Sequence, residues 1–146
     1  LTLSPDGRRV YTHADRELRV LDAATGAPLQ TLATLPDRID HLAVADAGIL
    51  LAAAVWDRTF VLLETTTGRT LHRLPTPGWG QAVAWAPLGR HLATLDLDGH
   101  LTVYDADLNP LASASGDGDS DSGLAWTPDG RLYLWLDRRL WSVTGW

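Results

Sequence analysis

Leu3-Ser4-Pro5-Asp6-Gly7-Arg8-Arg9-Val10 decides the reading, because the tetrapeptide at its centre returns three more times. Ser4-Pro5-Asp6-Gly7 is followed by Ala45-Asp46-Ala47-Gly48, Ala86-Pro87-Leu88-Gly89 and Thr127-Pro128-Asp129-Gly130. The closing glycines stand 41 residues apart each time (7 to 48, 48 to 89, 89 to 130). In Pro-Asp-Gly, proline presets φ for the first central position of a tight turn, aspartate can bond its own backbone, and glycine takes positive φ without a Cβ clash. The stretch therefore specifies a hairpin, and the chain is an array of repeats. A second punctuation runs in phase with the first: Asp15, Asp57, Asp98 and Asp137, each followed three positions later by Leu18, Phe60, Leu101 or Leu140. Seven residues after the aspartate another acid follows in three units, at Asp22, Glu64 and Asp105. In the first two units it opens the turns Ala23-Ala24-Thr25-Gly26 and Thr65-Thr66-Thr67-Gly68.

Between these signals lie short apolar runs with period-two alternation, as in Leu18 and Val20 or Leu101 and Val103, which reads as strand rather than helix. In the third unit the expected strands are Gln81 to Ala86, Arg90 to Asp96, His100 to Asp105 and about Pro110 to Ser115. Four strands in a period near 40 make the blade of a β-propeller. The fold class is all-β, with four-stranded antiparallel blades in units of approximately 1–35, 36–76, 77–117 and 118–146. The last unit is incomplete: its outer strand should begin at Thr144-Gly145-Trp146. A closed ring needs at least four complete blades, and no methionine occurs anywhere. The expectation is therefore an excerpt of a longer product, with the apolar faces of its end blades covered by remaining blades of the same chain or by a second copy.

The repeats 3–10 and 20–26, the latter Val20-Leu21-Asp22-Ala23-Ala24-Thr25-Gly26, resemble those of WD-repeat β-propellers and the related bacterial YVTN-type propellers. The resemblance covers essentially the whole chain and implies a ring of seven or eight blades. Two departures stand out. The name-giving Trp-Asp is replaced by Leu21-Asp22, Leu63-Glu64 and Tyr104-Asp105, and no Gly-His pair precedes the first strand of any unit. Of the buried hydrogen-bonded set that the resemblance implies, the turn aspartate and Thr94 are the only matches, so the full network is expected to be absent. Trp85 and Trp126, two positions before Pro87 and Pro128, read as blade-packing residues.

Composition narrows the function. The net charge is −6, with adjacent basic pairs only at Arg8-Arg9 and Arg138-Arg139, so no stripe could neutralise a run of phosphates and nucleic acid is not an expected partner. Zero cysteines exclude disulfides, thiolate metal sites and a cysteine nucleophile. No apolar run approaches the roughly 20 residues of a membrane-spanning helix; the chain reads as soluble, without a membrane partner, and its compartment stays open, with the cytoplasm slightly favoured.

No nucleophile elbow or phosphate loop is present, so no catalytic residue is assigned and the chain reads as a non-enzyme. Asp117-Gly118-Asp119-Ser120-Asp121-Ser122-Gly123 places Asp117, Asp119 and Asp121 at the spacing that opens an oxygen-ligand calcium loop. Ser122 stands where the sharp turn prefers glycine and Pro128 where a bidentate acid belongs, which favours a solvated acidic loop. Calcium is the one cofactor kept for testing. The histidines never fall at metal-ligand spacing, and His41 beside Asp40 is the one expected to face the central channel. In propellers of this type the blade-to-blade linkers and the strand-two to strand-three turns share a face that commonly recognises partner peptides. The corresponding segments here are 35–40, 75–79 and 115–122, with the turns around Arg16, Trp56, Arg58, His100 and Arg138. Trp56, Arg58, Trp79 and Arg38 are the expected contact residues, since tryptophan and arginine are enriched among binding hot spots; ordinary packing under a loop is the competing reading of both tryptophans. The function expected is a scaffold binding protein or peptide partners. The alternative is a propeller enzyme or cofactor binder, because Leu21 to Gly26 also resembles repeats of pyrroloquinoline-quinone propellers, whose site would lie partly in further blades.

Overall fold

A computed structural model describes residues 1–119 and 121–144. The turn glycines adopt the conformation their role demands: Gly7, Gly48, Gly89 and Gly130 have φ of 70°, 72°, 63° and 83°. Each therefore occupies the left-handed region, where a Cβ is disfavoured. Around them, among the described residues, run fifteen strands. The first sheet contains β1 (Thr2–Leu3), β2 (Arg9–Ala14), β3 (Glu17–Asp22) and β4 (Pro28–Thr34). The second contains β5 (Ile39–Val44), β6 (Leu50–Val55), β7 (Thr59–Glu64) and β8 (Thr70–Pro75). The third contains β9 (Gly80–Trp85), β10 (Leu92–Asp96), β11 (His100–Tyr104) and β12 (Pro110–Ser115). The fourth contains β13 (Gly123–Trp126), β14 (Leu132–Leu136) and β15 (Arg139–Val143). Every sheet is an antiparallel meander in chain order. Pro87–Gly89 forms a short 3-10 turn in the third hairpin, so β10 starts two residues later than the alternation suggests. Of the expected start of a fourth outer strand at Thr144-Gly145-Trp146, Thr144 is not in a strand and Gly145-Trp146 lies outside the described residues.

The sheets stack as blades, with β1, β5, β9 and β13 as neighbouring inner strands. Strand alternation sorts side chains between the two junctions of each blade. In β6, Leu51, Ala53 and Val55 pack with Tyr11, Leu18 and Val20 of the first blade. Ala52 and Ala54, with Phe60 and Leu62, pack with Val83 and Leu92 of the third. Leu51 to Val55 are all fully buried for this reason. Ala93, Leu95, Leu101 and Val103 continue the stack against Leu132, Leu134 and Leu136 of the fourth blade. The end blades leave apolar groups outward: Leu3 and Leu29 on the first, Trp135, Leu140 and Trp141 on the fourth.

Trp85 and Trp126 do pack blades together, and they also bond across the junctions. The Trp85 indole N–H donates to the Ala43 carbonyl at 3.2 Å, and that of Trp126 donates to the Ala84 carbonyl at 3.1 Å. The buried polar set takes a form the family pattern does not suggest. Asp98 is exposed in its turn, whereas Asp96, two residues earlier, is completely buried. Thr94 is buried and makes a long bond to the Thr102 carbonyl, at 3.4 Å, beside Tyr104. In the third blade the buried acid is therefore Asp96 rather than the turn aspartate, and the reason is the linker described next.

Candidate functional site

Two linkers and one turn meet on one face. In the first linker Pro36 restricts the backbone, and the Arg38 amide donates to Asp37 Oδ1 at 2.7 Å. The Arg38 carbonyl then accepts the Trp56 amide at 2.9 Å, which sets residue 38 beside the β6–β7 turn. In the second linker, Pro75-Thr76-Pro77-Gly78-Trp79, the Thr76 amide donates to the Arg58 carbonyl at 3.0 Å, and the Trp79 carbonyl accepts the Leu97 amide at 2.8 Å.

Asp96 anchors that linker. Its Oδ2 accepts the Thr76 hydroxyl and the Gly78 amide, both at 2.8 Å. Its Oδ1 accepts the amides of Asp98 at 3.0 Å and His100 at 2.8 Å, and His100 Nδ1 lies 3.1 Å from both oxygens. Burial works against the charged form, but the bonds from His100, Gly78 and Thr76 outweigh it and hold the carboxyl below its ordinary range. Gly78 is required for this approach: a Cβ there would stand 2.7 Å from Asp98 Oδ2 and 3.0 Å from the Asp96 carboxyl carbon. With both oxygens occupied by backbone and hydroxyl donors, the Asp96–His100 pair is a structural staple for the loop.

The result is a layered cluster. The Arg38 guanidinium carbon lies 4.0 Å from the Trp56 ring centroid, within cation–π range. The Trp56 and Trp79 rings stack at 5.6 Å with an interplanar angle of 12°. Arg38 also pairs with Asp40 at 3.4 Å. Trp56 is half-buried, and its indole nitrogen is enclosed without an acceptor among the described residues. Trp79 is 46% exposed. The structure thus brings together Arg38, Trp56 and Trp79. Arg58 enters through its backbone: it holds φ of 65° in the turn and presents its carbonyl to Thr76, while its side chain is exposed.

Asp119 Oδ1 accepts the Asp121 amide at 3.0 Å and the Ser122 hydroxyl at 2.9 Å, closing its own turn. Ser120 of the expected calcium loop lies outside the described residues, and among those described no three His, Asp or Glu side chains converge as metal ligands. The ring of His41 accepts the Val83 amide at 3.4 Å, joining inner strands β5 and β9. A cleft of about 430 Å³ lies between the third and fourth blades, walled by Leu101, Leu134, Leu136 and Trp141, with Asp117 and Asp137 as its only titratable lining groups among the described residues. No helix among the described residues is long and apolar enough to cross a membrane. The buried anchor Asp96 was missed from sequence. The signal available was Gly78, a glycine in a proline-flanked linker where a backbone must come close.

Consecutive antiparallel meanders with neighbouring inner strands define a run of β-propeller blades. The comparison with solved structures agrees: Kuenenia stuttgartiensis hydrazine synthase superposes with a TM-score of 0.78 over 90% of this chain and 40% of that chain, at 16% identity, a likeness of fold alone. Among curated proteins, the Dictyostelium discoideum protein tipD is 24% identical over 140 residues, 86% of this chain. Mouse coronin-7 is 32% identical over 94 residues, 60% of this chain. The chain spans 22% and 10% of the lengths of these two relatives. No family model matches the chain.

Proposed function

We propose that the chain is a non-catalytic platform that binds protein or peptide partners on the face carrying Arg38, Trp56 and Trp79. The observation that carries this reading is the stack itself, in which three separate connections converge to hold an exposed indole at a fixed place. Rigid tryptophans beside arginine are the composition of binding hot spots, because they supply large contact area at small entropic cost. The resemblance of the repeats 3–10 and 20–26 to those of WD-repeat propellers supports a partner-binding role. Among the described residues the acids and histidines are scattered, and the one buried carboxylate is saturated by structural bonds, which speaks against a catalytic constellation.

The test is selection of peptide ligands from a random library on the full-length protein, followed by affinity measurement on variants. Trp79→Ala should weaken binding about tenfold or more, corresponding to about 1.4 kcal/mol. Leu88→Ser, at an exposed position in a hairpin of the opposite face, should leave it unchanged. Ligands indifferent to Trp79→Ala would place any binding elsewhere and sink the reading.

A further inference from the structure

We infer that the segment recognised at this face is basic: an extended peptide that lays an arginine or lysine side chain on the open indole of Trp79 and directs neighbouring cations to the aspartates of the third linker. This rests on the platform reading above and specifies its partner.

Charge separates the two faces. The connections on the Trp79 side (15–16, 35–38, 56–58, 76–79, 97–99, 116–119, 121–122 and 137–138) hold eight aspartates and four arginines among the described residues. Those on the opposite side (4–8, 23–27, 45–49, 65–69, 86–91, 105–109 and 127–131) hold five aspartates and four arginines. The excess negative charge is therefore −4 on one face and −1 on the other, and the acidic side is the one that carries the exposed tryptophan. Of the four arginines there, Arg38 is already committed to Trp56 and Asp40. An acidic partner would meet net repulsion on this face, and a basic one would be steered to it.

The protein shows the recognition chemistry within its own chain. Arg38 and Trp79 occupy equivalent places in successive linkers, and Arg38 uses its place to put a guanidinium on an indole. Trp79 fills the next place with an indole, and the residue is 46% exposed. Tryptophan is the best cation–π surface among side chains.

Gln81 makes the third, independent point. It lies two residues beyond Trp79, is only 6% exposed, and donates its amide nitrogen to the Asp119 carbonyl at 2.8 Å, so it sits against the acidic linker. Its Oε1 has no donor among the described residues. A buried acceptor without a donor is costly. A guanidinium, which has five N–H donors and no acceptor, is the kind of group that supplies what is missing, and a carboxylate cannot.

The experiment is a titration of the full-length protein with a synthetic Arg-Gly-Ser repeat peptide. Peptides of equal length with glutamine or glutamate in place of arginine serve as comparisons, and tryptophan fluorescence and calorimetry are read at low and moderate salt. The arginine peptide should bind about tenfold or more tighter than the glutamine peptide, the glutamate peptide should not bind, and added salt should weaken the complex. Trp79→Ala, checked for native circular dichroism, should weaken the arginine peptide about fivefold or more. Equal binding of the glutamine or glutamate peptide, still sensitive to Trp79→Ala, would overturn the basic assignment and leave the platform standing. Arginine-peptide binding insensitive to Trp79→Ala would mean diffuse attraction only and would overturn the site. Absence of binding by all three peptides would also overturn the inference, and the platform reading would then stand or fall on the library selection alone.

Discussion

At the scale of single residues, Asp96 is where sequence and structure part most instructively. Leu95-Asp96-Leu97-Asp98 places two aspartates at the same parity of a strand end, so alternation cannot tell which is buried. The choice is made by a linker 18 residues earlier, which brings Gly78 and Thr76 against Asp96, and by a register shift between Leu95 and Asp96. Asp96→Ala would leave these donors unpaired in the interior and should lower unfolding free energy by about 3–5 kcal/mol in urea denaturation. The pH dependence follows from the depressed carboxyl. The folded chain holds the proton less tightly than the unfolded chain, whose value is near 3.8. The stabilisation is therefore complete above that pH and is lost as pH falls through the lower folded value. Asp96→Asn should flatten the stability profile in that acid window while lowering stability at neutral pH, and an unchanged acid slope would count against the staple. Trp56 and Trp79 should separate in the same assay. Trp56→Ala, at a half-buried ring that carries both stacking contacts, should cost about 3 kcal/mol, while Trp79→Ala should cost about 1 kcal/mol or less.

At the scale of elements, the hairpin turns were the most legible part of the chain, because their physics is local. Gly130 has φ of 83° and open space where a Cβ would be, so the cost of replacing it is conformational. Gly130→Val should destabilise by about 1–2 kcal/mol, read by thermal or urea unfolding. The blade junctions were legible only in part. The tryptophan spacing suggested packing, but the indole-to-carbonyl bonds depend on a strand of the preceding blade, 42 positions back in the sequence. Trp126→Phe keeps most of the apolar contact and removes the donor to Ala84, so a loss of about 1 kcal/mol is expected. A variant as stable as the parent would show that this bond adds nothing beyond burial. Arg58 belongs at this scale too. Its exposed side chain is available for contact, and its carbonyl also receives the Thr76 amide, a bond every residue can offer and no composition reveals.

At the scale of the whole molecule, coverage sets the order of stability. The second blade is covered on both faces, through Leu51, Ala53 and Val55 on one side and Ala52, Ala54 and Phe60 on the other. The fourth leaves Trp135 43% and Trp141 50% exposed. Native-state hydrogen exchange of this 146-residue chain should therefore find the slowest amides in β6 and β7 and the fastest sheet amides in β14 and β15, because local opening follows the density of buried contacts. Uniform protection across the blades would contradict a stack whose stability is a sum of junctions.

The repeat, the all-β class, the hairpins and the candidate residues Arg38, Trp56 and Trp79 were readable in the chain alone, because turn chemistry and alternation act over a few residues and recur in phase. Which of those residues meet was settled by folding. The Arg38–Trp56–Trp79 stack joins positions from three connections, and the staple at Asp96 orders one of them. Both depend on how successive blades are offset, a distance relation that no single repeat contains.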